Sequence, residues 1–417
     1  MVTLVATDVG VQPLGCLGRL KLGLQQRRAK GTEILREREE LEGKRAMLFE
    51  RSSRWGLATV AINRLPAIRG PSPARVWAPV VGLMIAVLSA SSRDLAADQL
   101  GGNQLGGNWP CAAVQMPASS GRGAAPVVTT VCLQPGGALL AAGGDDHRIY
   151  LWDVAAGQTA RCLIGHEDWV HAVKFSADGR ILASAGHDGR VILWDPGMTE
   201  PICVLDQNCH AVTELAWSQD GTRLATSGFS AQVRLYDIPT RKLVGELQGP
   251  CNDLRALSFS PDGQSLAAGG RNGKMRIWHL RGGQGPEEYT AHQGRIRALA
   301  FSPNGRLLAS SGEDGKVHIW SFDSRSGRDL PRRPAKIFSL AFFGPNELAA
   351  GGSDNLIRLW DLSTGQEVGQ LAGHQGSVMS LDSNGQILVS GSYDTVVRIW
   401  TIKDRVASAP RPTTELK

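Results

Sequence analysis

The chain has 417 residues and carries 45 Lys and Arg against 39 Asp and Glu, a formal net charge of +6. Hydrophobic residues make up 42% of the sequence, a share that supports a folded core and excludes a generally disordered chain. The 50 glycines follow no Gly-X-Y register, which excludes collagen and instead indicates many tight turns between short strands.

The excess positive charge lies in one place, the first 75 residues. This leader, 1–75, has 14 basic and 7 acidic side chains, which leaves 31 basic and 32 acidic side chains in 76–417. We therefore expect a leader that is disordered or absent from the mature protein, followed by a nearly neutral body. The neutral body argues against nucleic acid as the partner.

An uncharged segment follows the leader. Residues 76–90 contain no charged side chain, Arg64, Arg69 and Arg75 precede them, and small residues follow at 90–92. A basic stretch, then a short apolar run, then small residues is the form of a secretory signal. The segment 76–92 thus predicts export to the periplasm or the medium. The alternatives are an uncleaved membrane anchor, or a cytoplasmic protein whose start is assigned too far upstream.

Seven aromatic residues recur at an almost constant interval along the body. The intervals are 42, 42, 42, 42, 40 and 40 residues, and the positions are Trp152, Trp194, Tyr236, Trp278, Trp320, Trp360 and Trp400. Between them, apolar runs such as Ala172–Phe175 and Ile181–Ser184 alternate with Asp-Gly or Asn-Gly turns, which predicts short antiparallel strands. Repeats of this length that end in Trp-Asp or a related pair indicate the blades of a β-propeller.

With these repeats, the sequence resembles the WD40-repeat family. The resemblance implies an all-β fold, a seven-bladed propeller over residues 126–403 with four antiparallel strands in each blade. In this family the last blade usually takes its outer strand from the N-terminal side of the chain. Cys111–Met116, within a Gly-rich linker over 93–125, fits that role. Arg405–Ser408, in the C-terminal tail 404–417, is the alternative.

Three repeats place a His, a Ser, an Asp and a Trp at matching positions. The sets are His166, Ser184, Asp188 and Trp194; His292, Ser310, Asp314 and Trp320; and His374, Ser390, Asp394 and Trp400. The resemblance implies that each set forms a buried, hydrogen-bonded tetrad with a structural role. A hydrolase would need one exposed serine beside a base and an oxyanion site, so three copies around a ring argue against catalysis. We predict a protein that is not an enzyme and that needs no cofactor.

By the same resemblance, partner contacts fall three and five residues after the His position and just before the Asp position. The candidate partner-binding residues are Trp169, His187, Phe229, Arg255, Arg271, Arg295, Arg297, Lys336, Phe338, Met379 and Tyr393. Five of them, here called the basic arc, lie on three neighbouring blades: Arg255, Arg271, Arg295, Arg297 and Lys336.

Aromatic and arginine side chains are common hot spots of protein interfaces, and this surface carries both. It predicts a protein–protein interaction scaffold that presents the basic arc to an acidic or phosphate-bearing partner segment. A propeller enzyme with its site at the mouth of the central channel is one alternative. A propeller associated with nucleic acid is the other.

The spacing of cysteines and histidines predicts no metal site and no redox motif. None of the 7 cysteines has CxxC spacing, and His171 and His187 have no thiolate or carboxylate placed beside them by the repeat pattern. Cys209 and Cys251 are 42 residues apart and so occupy equivalent loops of adjacent blades. They are either two free thiols or, in an exported protein, a disulfide.

Overall fold

The computed structural model describes residues 109–118, 123–207 and 210–402. Across these ranges, 28 strands form seven antiparallel sheets of four strands each. This confirms the predicted all-β, seven-bladed propeller. The predictions made on the leader 1–75, the hydrophobic segment 76–92 and the tail 404–417 concern residues outside the described ranges. Within those ranges, no helix is long and apolar enough to cross a membrane.

The first four blades follow one another along the chain, each numbered here by its place in the ring. Blade one contains β2 Val128–Leu133, β3 Leu139–Gly144, β4 Arg148–Asp153 and β5 Gln158–Ile164. Blade two contains β6 Val170–Phe175, β7 Leu182–Gly186, β8 Arg190–Trp194 and β9 Pro201–Gln207. Blade three contains β10 Val212–Trp217, β11 Arg223–Gly228, β12 Gln232–Asp237 and β13 Lys242–Gln248. Blade four contains β14 Leu254–Phe259, β15 Ser265–Gly270, β16 Lys274–His279 and β17 Glu287–Thr290.

The last three blades complete the ring. Blade five contains β18 Ile296–Phe301, β19 Leu307–Gly312, β20 Val317–Ser321 and β21 Ser326–Asp329. Blade six contains β22 Ile337–Phe342, β23 Glu347–Gly352, β24 Ile357–Asp361 and β25 Gln366–Leu371. Blade seven contains β26 Val378–Ser383, β27 Ile387–Ser392 and β28 Val396–Thr401, with β1 Cys111–Gln115 as its outer strand.

A recurring turn joins the first and second strands of the central blades. In blade two, the Ser176 hydroxyl donates to the Asp178 carboxylate at 2.6 Å, and Gly179 takes a positive φ of 70°. Only glycine adopts that backbone conformation without a steric cost, which explains the repeated Asp-Gly and Asn-Gly pairs. The same serine-centred bond recurs at Ser218, Ser260 and Ser302.

The core lies between neighbouring blades. One cluster joins Ile149 and Leu151 of blade one to Val173, Leu182 and Trp194 of blade two, all 1% exposed or less. Because each blade covers its apolar face only against the next, no blade is stable without its neighbours. The stability of the ring therefore depends on a continuous series of such seams.

The inner strands lack a fifth strand on the channel side, so their backbone N–H groups need other partners. In blades one and two, side chains of the preceding blade supply them. The Val173 N–H donates to the Thr130 hydroxyl at 3.1 Å, and the Leu133 N–H donates to the Asp382 carboxylate at 2.8 Å. These bonds tie the inner strands of blades one and two to their neighbours without continuing the sheet.

The N-terminal strand closes the ring. β1 pairs antiparallel with β28, in a register that runs from Cys111 opposite Trp400 to Gln115 opposite Val396. The next residue, Met116, donates its N–H to the Thr395 carbonyl at 3.0 Å and is 1% exposed. Blade seven thus combines three C-terminal strands with one N-terminal strand. The alternative closing segment, Arg405–Ser408, lies outside the described residues.

Candidate protein-interaction surface

Hydrogen bonds hold the loop that enters blade two against the turn between its second and third strands. Nδ1 of His166 lies 2.9 Å from Oδ2 of Asp188, and Nε2 lies 2.8 Å from Oγ of Ser184. The Trp194 indole N–H donates to the same Oγ at 2.8 Å. Blade seven repeats the arrangement at 2.9 Å for His374–Asp394, 2.7 Å for His374–Ser390 and 2.9 Å for Trp400–Ser390.

The order of these contacts is that of a Ser-His-Asp triad, but the serine hydroxyls are buried and inaccessible to a substrate. The indole donates to Oγ, and the His166 ring lies between that hydroxyl and the Asp188 carboxylate. Ser184 and Ser390 are 0% exposed and Ser310 is 1% exposed. No substrate carbonyl can approach any of these three hydroxyls, so the arrangement shapes the loops and leaves no room for nucleophilic attack.

Blade five keeps only part of the pattern. Nδ1 of His292 lies 3.0 Å from Asp314 and Nε2 lies 2.9 Å from Ser310. Trp320, placed in this tetrad by the sequence, is only partly buried and packs on Tyr289 with 4.2 Å between ring centroids. Among the described residues, its indole makes no hydrogen bond to Ser310. Tyr289 comes from the outer strand of the preceding blade, and its ring offers Trp320 a stacking partner in place of the hydroxyl.

Blade six replaces the tetrad with ion pairs that the sequence analysis did not identify. Arg333 stands at the His position, pairs with Glu367, and covers the ring of Trp360 at 5.5 Å. Arg358, only 7% exposed, pairs with Asp354 at 2.5 Å. Arg333 precedes the contact residue at 336 by three positions, so the repeat spacing itself could have identified it. This loop is held by arginine–carboxylate pairs, where the loops of blades two, five and seven are held by a histidine, a serine and an aspartate.

Protonation of the buried histidines opposes folding. Burial lowers the pKa of His292 and of His374, although Asp314 and Asp394 act in the opposite direction. Burial, Arg255 and His187 lower the pKa of His171 to about 4. Because a histidine of the unfolded chain titrates near ~6.5, the unfolded state takes up these protons first as the pH falls.

The stability of the protein is therefore expected to fall progressively as the pH is lowered from about 7.5 to about 5. The aspartates add to the loss at lower pH: burial raises the pKa of Asp188, but the His166 bond and backbone N–H groups outweigh it and hold that pKa below its usual value. Denaturant unfolding followed by tryptophan fluorescence across this range measures the effect. A free energy of unfolding that stays constant down to about pH 5 would contradict it.

A central channel opens among the loops that these bonds hold. Residues from all seven inner strands surround a cavity of about 190 Å³. Six of the candidate partner-binding residues border it. Trp169 lies at its mouth, and the other five are Arg255, Arg297, Phe338, Met379 and Tyr393. Trp169 and Tyr393 are 41% and 43% exposed. The structure thus brings these six candidates to one opening, with the other five farther out on the same loops.

Two further candidates, His187 and Phe229, connect to this opening through ring contacts. Nε2 of His171 lies 3.3 Å from Nδ1 of His187, and the edge of His187 meets Phe229 at 5.7 Å between centroids. The Arg255 guanidinium lies over the Phe229 ring at 4.6 Å, as Arg297 lies over Phe338 at 5.1 Å. These stacked arginines are held in place before any partner arrives, which lowers the entropy lost on binding.

Two carboxylates partly neutralise the basic arc. Asp253 lies 2.6 Å from Arg255 and 2.8 Å from Arg295. Glu313 lies 3.4 Å from Arg295, 3.7 Å from Arg297 and 3.8 Å from Lys336. The five cations and two anions leave a local net charge of +3. Arg271 is exposed, and the described residues show no ion pair to it. The arc is therefore less basic than its sequence suggests, although it remains positive.

Charged groups also occur deeper in the channel. Burial lowers the pKa of Lys174, but the charges of Glu214 and Asp382 outweigh it and raise that pKa. Burial raises the pKa of Glu214, and Lys174 opposes the rise. In the described part of the chain, no group of three or more His, Cys, Asp or Glu residues could hold a metal ion. Cys251 is a free thiol, and Cys209 lies outside the described ranges.

These features define a seven-bladed propeller whose one face gathers arginines and aromatic rings around the channel. Comparison with known proteins identifies the family. The family described as "WD domain, G-beta repeat" matches at residues 118–153, 157–195, 200–237, 241–279, 285–321, 330–361 and 365–401. The chain belongs to the WD40-repeat family. Propellers of this family are typically non-catalytic scaffolds that bind proteins.

Individual relatives match over short stretches. The chain is 39% identical over 69 residues to Mitochondrial division protein 1 of Mycosarcoma maydis, which covers 16% of this chain and 8% of that protein. It is 45% identical over 65 residues to the Periodic tryptophan protein 2 homolog of Neurospora crassa, covering 15% and 7%. It is 44% identical over 62 residues to Cell division control protein 4 of Saccharomyces cerevisiae, covering 15% and 8%. Each match thus spans less than a tenth of the relative.

Proposed function

We propose that the protein is a non-catalytic interaction scaffold whose channel-mouth face binds an acidic or phosphate-bearing segment of a partner protein. The observation that carries this proposal is the convergence of Arg255 and Arg297 with Trp169 and Tyr393 at one opening. Arginine and large aromatic side chains contribute most of the binding energy in many interfaces. A local charge of +3 within a nearly neutral body favours an anionic partner.

The basic arc covers blades four to six, and most of the apolar candidates lie beside it. Trp169 and Phe229 lie on blades two and three, Met379 and Tyr393 lie on blade seven, and Phe338 lies within the arc on blade six. A partner segment that matches this face carries acidic groups toward blades four to six and apolar side chains toward blades two, three and seven. The buried serines of the tetrads support binding over catalysis.

Reversal of two charges tests the proposal. The double substitution R295E and R297E is expected to weaken the binding of an acidic or phosphoserine-containing peptide by about tenfold or more, equivalent to about 1.4 kcal/mol. Fluorescence polarisation with labelled peptides measures the affinity, and added salt should weaken the wild-type complex as well.

The matched control is the double substitution R180E and R306E, which changes the net charge by the same amount. These arginines are 86% and 69% exposed and follow turns between first and second strands, at the end of the propeller opposite the channel-mouth face. The control should bind the peptides as the wild type does. Equal weakening by both double variants would show a general charge effect and would contradict the proposed face.

A further inference from the structure

The part of the channel next to its mouth, here called the upper channel and bordered by Arg255 and Arg297, has the features of a binding site. Arg255 and Arg297 enter it from neighbouring inner strands. The hydroxyl-bearing residues Thr130, Ser339 and Ser380 line the wall below them. A cavity of about 190 Å³ exceeds the space of a single water molecule, and it can take one side chain from outside together with some water.

The two arginines are close enough to repel each other. Burial lowers the pKa of Arg297, and the charge of Arg255 is the next largest cause. Each guanidinium is fixed by a ring beneath it and by one carboxylate at its side, Asp253 at 2.6 Å for Arg255 and Glu313 at 3.7 Å for Arg297. Glu313 is shared among three cations, so the Arg297 charge is incompletely balanced. An oxyanion placed between the two guanidinium groups would remove the repulsion.

We propose that the upper channel is a socket for a single oxyanion-bearing side chain of the partner, held between Arg255 and Arg297. The proposal rests on the proposed function and specifies its central contact. The oxyanion is the carboxylate of an aspartate or glutamate or the phosphoryl group of a phosphorylated residue. Acidic groups elsewhere in the partner segment would face the outer part of the basic arc, Arg271 and Lys336.

The test uses the full chain and short fluorescein-labelled peptides with acidic flanks that differ only in the central residue: glutamate, phosphoserine or glutamine. For the wild type, exchange of the central oxyanion for glutamine should weaken binding by about tenfold. The ratio of the glutamate and phosphoserine affinities distinguishes the two sources of the oxyanion. Fluorescence polarisation gives the affinity for each peptide.

Two variants examine the socket. The double substitution R255Q and R297Q should reduce the preference for a central oxyanion to about twofold or less. The double substitution R180Q and R306Q is the matched control, because it removes two exposed arginine charges at the opposite end of the propeller. This control should keep the full preference.

The possible failures can be told apart. If the wild type binds all three peptides equally, or if R255Q with R297Q keeps the preference, the socket is wrong while the acidic flanks still support the proposed function. Equal effects of R255Q with R297Q and of R180Q with R306Q would also overturn the socket. If the wild type binds none of the peptides, both the socket and the proposed function are wrong.

Discussion

Replacement of Met116 by alanine is expected to lower the free energy of unfolding by about 2–5 kcal/mol. Met116 directly follows the closing strand, is 1% exposed, and packs in one cluster with Val128 and Trp152 of blade one and Val397 of blade seven. The truncation leaves a cavity at the seam where blade one packs against blade seven. No later blade can compensate, because each core cluster joins only neighbouring blades.

Met198→Ala is the control for the loss of a methionine side chain. Met198 lies in a turn of blade two and is 61% exposed, so its truncation should change the free energy of unfolding by about 0.5 kcal/mol at most. Denaturant unfolding monitored by tryptophan fluorescence gives both values. Similar stability for the two variants would mean that the N-terminal strand does not bear on the stability of the ring.

The number and order of the blades could be predicted because they depend on one repeated physical requirement. Trp194 and five of its counterparts are buried at the same place in their blades, so their spacing records the blade length directly. The N-terminal strand was harder to place, since β1 contains only five residues and lies far from the regular repeat. Its identity becomes clear only in the pairing of Cys111–Gln115 with β28.

The fine structure of the candidate site could not be predicted in the same way. Trp320 occupies the tetrad position in sequence, but the choice between Ser310 and Tyr289 depends on the outer strand of another blade. In blade six, the Arg358–Asp354 pair and the Arg333–Glu367 pair depend on side-chain directions that repeat spacing does not specify. Aligning the repeats shows which position of a blade a residue occupies, but it does not show which side chain that residue contacts.

The same holds for the charged residues of the basic arc: the sequence predicts where they lie but not which side chains they pair with. The sequence predicts the basic arc from five cations at contact positions, and two of them, Arg255 and Arg297, border the channel. Asp253 and Glu313 occupy contact positions too, and their pairing with the arc follows only from the interatomic distances. The interaction surface is consequently a balanced network with a modest positive excess, in which the local geometry of the arginines matters more than their number.

Replacement of Ser184 by alanine is expected to lower the free energy of unfolding by about 2–4 kcal/mol. The Ser184 hydroxyl accepts the Trp194 indole N–H at 2.8 Å and is hydrogen-bonded to Nε2 of His166 at 2.8 Å. Alanine leaves both groups buried without a partner, and each then loses its compensation for leaving water. Because His166 holds the loop that carries Trp169, the substitution should also loosen one edge of the channel mouth.

Ser311→Ala provides the comparison within the same kind of strand. Both serines lie on second strands and are 0% exposed, but Oγ of Ser311 has no hydrogen-bond partner. Its removal deletes an uncompensated polar group, so stability should be unchanged or slightly higher. The difference between the two variants, measured by denaturant unfolding, isolates the hydrogen bonds of the tetrad from the loss of a buried hydroxyl. An equal loss in both would show that the Ser184 bonds contribute nothing, and that burial of the loop alone fixes the channel mouth.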